Sequence, residues 1–170
     1  MKKLTLWLLY FVLFVLFFVG FAPKKLLYYK LEHLLQPQQI VISDERLEET
    51  PISLLAKDGT LYIKSIEVGV FDTLSFYPDI FFNMIELKNF HSNRSITIIP
   101  KIDIQKLRLF YTPFYPIKIF IQGDSSLGKI TGSIDLLAKK GMVDLSTTHP
   151  PQMLPLKKIS EGLYRYEFSY

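Results

Sequence analysis

The chain has 170 residues, 20 Lys and Arg against 16 Asp and Glu, three His and no Cys. That length suits one ordinary domain, and 49% hydrophobic against 21% charged residues excludes a wholly disordered chain. The lack of Cys excludes a disulfide scaffold, a thiol nucleophile and a Cys-ligated metal site.

Leu4 to Ala22 carries no charged residue, which accounts for much of the positive mean hydropathy of +0.21. Nineteen residues at the helical rise span roughly 28 Å, close to the hydrocarbon thickness of a bilayer. Leu4, Trp7, Tyr10, Phe14, Phe18 and Ala22 are the expected anchor residues, with Trp7 and Tyr10 placed for an interface. A cleaved signal peptide is the rival reading, since Gly20 and Ala22 are small. The length of the run, the bulky Phe18 and Phe21 and the following Pro23 favour an uncleaved anchor over residues 1–23. Lys2 and Lys3 precede the run while Lys24, Lys25 and Lys30 follow it, so the charge rule for orientation is nearly tied. A cytoplasmic N-terminus and a translocated C-terminal part is the expected topology. Beyond the run 18 basic residues face 16 acidic ones, which argues against a nucleic-acid partner.

Leu27, Leu31, Leu34 and Leu35 fall at helical intervals, predicting a juxtamembrane helix over 24–37 that Pro37 stops. Asp44, Glu45, Glu48 and Glu49 then read as a solvated turn or a short helix face. From residue 51 the period becomes two. Asp58-Gly59 between apolar runs predicts a hairpin turn. Further extended segments are expected at Phe81–Phe90, Arg94–Ile99 and Ile102–Tyr111, the last with a bulge near Gln105. Ile117–Ile121, Ile130–Leu136 and Gly141–Ser146 follow, then a stretch with Pro150, Pro151 and Pro155. Tyr164, Tyr166, Phe168 and Tyr170 share one face of a final strand. The fold expected for 38–170 is mainly antiparallel β, a twisted sheet or half-barrel, behind the transmembrane helix and the short juxtamembrane helix.

Gly123, Gly128 and Lys129 mimic a phosphate-binding loop, but Ile130 stands where the loop needs a metal-binding hydroxyl. A strand–turn–strand hairpin is the better reading, and no nucleotide partner is expected. No Gly-x-Ser-x-Gly elbow is present. His33, His91 and His149 are scattered, with His91 placed in a turn, and no catalytic, metal or cofactor site is expected. Asn93-Arg94-Ser95 matches a glycosylation acceptor, which matters only in a eukaryotic secretory pathway. The alternating strands leave two readings of their apolar face: an ordinary core, or a groove open to an acyl chain or partner strand. Tyr164, Arg165, Tyr166, Glu167 and Phe168 form the possible partner edge.

The order of an anchor, Pro23-Lys24-Lys25, the helix Leu27-Tyr28-Tyr29-Lys30-Leu31-Glu32 and the extended Ile40-Val41-Ile42 resembles the type II secretion system protein N (GspN) family. Gly59-Thr60-Leu61-Tyr62-Ile63 and Gly128-Lys129-Ile130-Thr131-Gly132-Ser133-Ile134-Asp135-Leu136 extend the likeness, which is more distant to AsmA-like periplasmic proteins. It covers residues 1–147. The resemblance implies a single-pass inner-membrane protein with a periplasmic β domain, without enzymatic activity, whose partners are the lipid bilayer and envelope proteins of a secretion assembly. LptC-like proteins, one anchor with a small β domain that passes lipopolysaccharide, fit the size and topology equally. An apolar face left open would favour lipid transfer, and a buried one would favour assembly.

Overall fold

The computed structural model describes residues 2–21, 23–96, 101–148, 150 and 154–170. The N-terminal helix α1, Lys2–Phe21, is apolar on every side. Its Lys3–Phe21 stretch, with a mean hydropathy of 2.6, is long and apolar enough to cross a membrane. Leu4, Trp7, Tyr10 and Phe14 are all exposed on it. Phe18 lies within α1, but its side chain and all of Ala22 fall outside the described residues.

Pro23 separates α1 from α2, Lys24–Leu35, which runs into a single 3-10 turn at Gln36–Gln38. The Leu pattern of α2 gives it one apolar stripe, and that stripe settles on the sheet. Tyr28 is wholly buried with Leu54 and Ala56, and Leu47, Leu74 and Phe76 close around them. The Tyr28 ring meets Phe76 edge-on at 6.1 Å.

The described residues beyond α2 build one open antiparallel sheet of eleven strands. They are β1 (Ile40–Ser43), β2 (Arg46–Glu49), β3 (Leu54–Ile63), β4 (Ile66–Pro78), β5 (Asn83–Ser92) and β6 (Asp103–Tyr111). Then come β7 (Lys118–Ser125), β8 (Gly128–Asp135), β9 (Lys140–Ser146), β10 (Lys157–Ser160) and β11 (Leu163–Ser169). From β3 to β9 each strand pairs with the next in sequence. β1 and β2 lie end to end along β3, separated by Asp44 in a left-handed conformation (φ 65°). At the other side β11 inserts between β9 and β10.

Three expectations from the sequence change here. Asp58-Gly59 is not a hairpin turn but lies inside β3. Asp58 takes a left-handed φ of 55°, and Gly59 lies under the Phe71 ring, where a Cβ would stand 2.3 Å from it. The hairpin closes instead at Lys64-Ser65, whose φ values of 52° and 62° form the two-residue turn that suits strand twist. The acidic run is turn only at Asp44-Glu45, whereas Glu48 and Glu49 lie in β2. Glu48 pairs across β2 and β3 with Lys57 at 2.6 Å, and Arg46 pairs with Asp58, which removes the like-charge repulsion. Arg94 and Ser95 form a turn after β5, and 97–99 lie outside the described residues. The expected irregularity at Gln105 is present as a register shift between Ile104 and Lys106.

The 123–131 stretch is the β7–β8 hairpin. Gly128 has a φ of +127°, and a Cβ there would fall 1.9 Å from the Ser146 carbonyl oxygen. The glycine is therefore set by the turn and by close approach of β9.

Candidate functional site

Residues paired across an antiparallel ladder stand on one face. Leu54, Phe76, Ile85, Leu109, Ile121, Gly132, Val143 and Tyr166 form one such row. Two residues away runs a second: Ala56, Leu74, Leu87, Leu107, Gly123, Ile130, Leu145 and Tyr164. The sheet therefore has one continuous apolar face, eight strands wide. At about 4.8 Å between strands it extends roughly 34 Å across.

An ordinary core would bury this face completely. Among the described residues only Val19, Tyr28, Leu54, Ala56, Phe71, Phe90 and Leu145 are buried hydrophobics, in a chain that is 49% hydrophobic. α2 packs on the β1, β3 and β4 side. Between its Leu27, Leu31 and Leu34 and the strands lies a hollow of about 290 Å³, floored by Ile85, Leu109 and Ile119. A second hollow of about 160 Å³, without polar surface, lies over Ile130, Val143 and Leu145 under Leu154 and Leu156. Leu107, Leu109 and Ile121 between them stay half-buried.

α2 is held over this face partly by polar contacts. Tyr28 donates its hydroxyl to Glu45 at 3.2 Å. Burial, with Glu45 and Glu32 beside it, pushes the phenol well above its ordinary range. Burial and the charge of Glu45 likewise raise Glu32. Lys24, itself buried, reaches the Gly20 carbonyl at 3.2 Å and lies 4.0 Å from Glu49.

The opposite face is mixed: Tyr77, Met84, Phe110, Phe120, Ser133, Met142 and Glu167 form one row of it, and a polar row runs beside them. Ser75, Glu86, Arg108, Gln122, Thr131, Asp144 and Arg165 share a row. Glu86 is buried, its carboxylate ringed by Lys88 (3.0 Å), Lys106 (3.2 Å) and Arg108. Burial alone would raise its pKa, but hydrogen bonds from Arg108, Lys88 and Lys106 outweigh burial and hold it at about 2. Arg165 grips Asp144 through two bonds of 2.7 and 2.8 Å, which lower the Asp144 pKa.

The residues expected at the C-terminal partner edge differ in their pairing. Tyr164 and Arg165 are paired on both sides, to β9 and to Lys158 and Lys157 of β10, and so are not an edge. β10 was hidden in the sequence because Lys157-Lys158-Ile159-Ser160 has little apolar alternation. Among the described residues Tyr166, Glu167 and Phe168 pair only with β9, leaving their other side open. The Tyr166 and Phe168 rings stack at 5.9 Å, and Phe168 covers Gly141. His33 is exposed on α2. His91 lies on β5 rather than in a turn, 3.2 Å from Asp103, and His149 falls outside the described residues. Among the described residues no three His, Asp or Glu side chains gather to hold a metal.

The structure thus defines an open antiparallel sheet with one partly covered apolar face, carried behind an apolar N-terminal helix. No family model, curated protein or solved structure matches the chain.

Proposed function

We propose that the protein is a single-pass, membrane-anchored lipid-handling module that acts without catalysis, its open sheet face receiving an acyl chain. The observation that carries this reading is the incompletely covered apolar face, half-buried at Leu107, Leu109 and Ile121 and hollow at both ends. Apolar surface left in water is costly at about 25 cal/mol per Å², so a face of this width is stabilised by an apolar occupant. This is the LptC-like and AsmA-like alternative, with lipopolysaccharide or another acylated lipid as cargo. In this reading α1 lies in a bacterial inner membrane and the sheet faces the periplasm. A photo-crosslinker at Ile121, in the middle of the face, should capture lipid from membranes. Capture of protein alone would overturn the reading.

A component of a type II secretion assembly, as in GspN-like proteins, is the second reading. It is favoured by the unpaired outer side of Tyr166–Ser169, which could accept a strand from an envelope partner.

Both readings need α1 intact in the membrane. The mature membrane fraction should begin at or next to Met1, and a reporter fused after Tyr170 should work only outside the cytoplasm. A chain beginning at Pro23 or Lys24 would make α1 a cleaved signal instead.

A further inference from the structure

The two ends of the sheet differ in chemistry. At one end are the turns after β4, β6 and β8 and the end of β11, as the pairs Pro78 with Asn83 and Lys140 with Ser169 show. These tips present Phe81, Phe82, Phe114, Tyr115, Leu137 and Tyr170, all exposed, with Phe114 at 78% and Leu137 at 77%. Their rings are organised rather than scattered. Phe81 stacks on Phe114 at 6.1 Å, which ties two hairpins together. At the other end, among the described residues, the turns present Lys64, Ser65, Arg94, Ser95, Ser126 and Glu161, with the exposed Ile63, Ile66 and Ile159 beside them but no stacked rings.

The aromatic end is also where the chain leaves α1. Lys24, three residues after the end of α1 at Phe21, lies beside Glu49, whose partner is Leu54 and then Phe76 near the end of β4. Independently, Phe17, Phe21 and Pro23 share one hollow with Pro78, Asp79 and Asn83 of the β4–β5 turn.

We propose that these aromatic tips insert into the membrane interface beside α1, so that the sheet stands end-on on the lipid surface. This rests on α1 being a membrane anchor. Aromatic rings favour the headgroup region, where one part of the ring is apolar and the other wet. Backbone entering that region must carry its own hydrogen bonds. The tips do so. Asp79 accepts from the Phe81 amide at 2.9 Å, and the Thr112 hydroxyl donates to the Phe81 carbonyl at 2.9 Å. Asp135 accepts from the amides of Leu137 and Ala138 at 3.0 and 2.8 Å. The tips themselves carry balanced charge, because Lys118, Lys139 and Lys140 are matched by Asp79, Asp135 and Glu167. Insertion should therefore proceed on zwitterionic lipid. In this pose the apolar face meets the bilayer at its edge, and an acyl chain can pass between them without crossing water.

The native chain has a single Trp, Trp7 in α1, which serves as an internal control. The full chain is reconstituted in phosphatidylcholine vesicles containing shallow nitroxide-labelled phosphatidylcholine. Phe114→Trp and Leu137→Trp are each placed in a Trp7→Phe background, with Glu161→Trp at the far end for comparison. Both tip variants should be quenched about as strongly as native Trp7 and several-fold more than Glu161→Trp. Quenching of Trp7 with neither tip variant above Glu161→Trp would overturn the tip proposal and leave the anchor standing. An unquenched Trp7 would overturn the anchor reading, and this proposal with it.

Discussion

Glu86→Gln should lower the stability of the detergent-solubilised protein by about 2 kcal/mol at pH 7, and the difference should vanish in acid. The carboxyl is held at about 2, against an ordinary 4.5. A lowered carboxyl pKa contributes stability that is complete above about 4.5 and is lost as pH falls toward 2. The shift converts to about 3 kcal/mol, and the solvent reaching Lys88, Lys106 and Arg108 reduces it to about 2. The Gln variant also leaves three cations gathered around a buried amide. Denaturant midpoints from circular dichroism at pH 7 and near pH 2 check both parts. Equal midpoints for variant and wild type at pH 7 would show that water already solvates the carboxylate.

Tyr28→Ala should release α2 from the sheet. Removing a buried aromatic side chain costs about 3–5 kcal/mol, and its hydroxyl bond to Glu45 adds roughly 1. α2 has only 12 residues, too few to hold a helix in water without a surface beneath it. Hydrogen exchange should therefore lose protection across Lys24–Leu35 while β5–β8 stay protected. Tyr28→Phe should keep the helix docked, since it retains the ring against Phe76 and loses only the hydroxyl contact. Equal loss throughout the sheet in Tyr28→Ala would make α2 part of a single cooperative unit rather than a removable cover.

The strands from β5 onward, apart from β10, were legible because their side chains alternate, as in Ile119, Ile121 and Ile130, Ile134. Of the first half of the sheet, the extended Ile40-Val41-Ile42 of β1 was readable and most of the rest was not. β4 runs from Ile66 to Pro78 without a clean period, because its register shifts opposite Leu61 and Asn89 is left-handed beside it. Asp58-Gly59 carries the residue types of a tight turn, and the backbone uses the same permissiveness for a kink within a strand. Lys64 and Ser65, which do make the turn, carry no such signal. The apolar stripe of α2 was readable, but its destination on Leu54 and Ala56 was not. Glu86 meets Lys106 and Arg108 only through strand pairing, so no local pattern reports it. Phe81-Phe82 and Phe114-Tyr115 were visible as aromatic pairs. Their convergence needs the antiparallel order of four strands.

From β3 to β9 every strand pairs with the one just made before it. The partner of α2 is likewise close in sequence, within β1 to β4. Folding can therefore proceed hairpin by hairpin, in chain order, with small loop-closure costs and few long-distance searches. From β4 to β9, a chain tethered at its N-terminus and emerging C-terminus last would find its next partner already in place. β1 and β2 must wait for β3, and β10 for β11, which follow them. The last seven-residue strand thus acts as the clasp: until Leu163–Ser169 is released and laid against β9, the growing sheet ends in an uncapped edge.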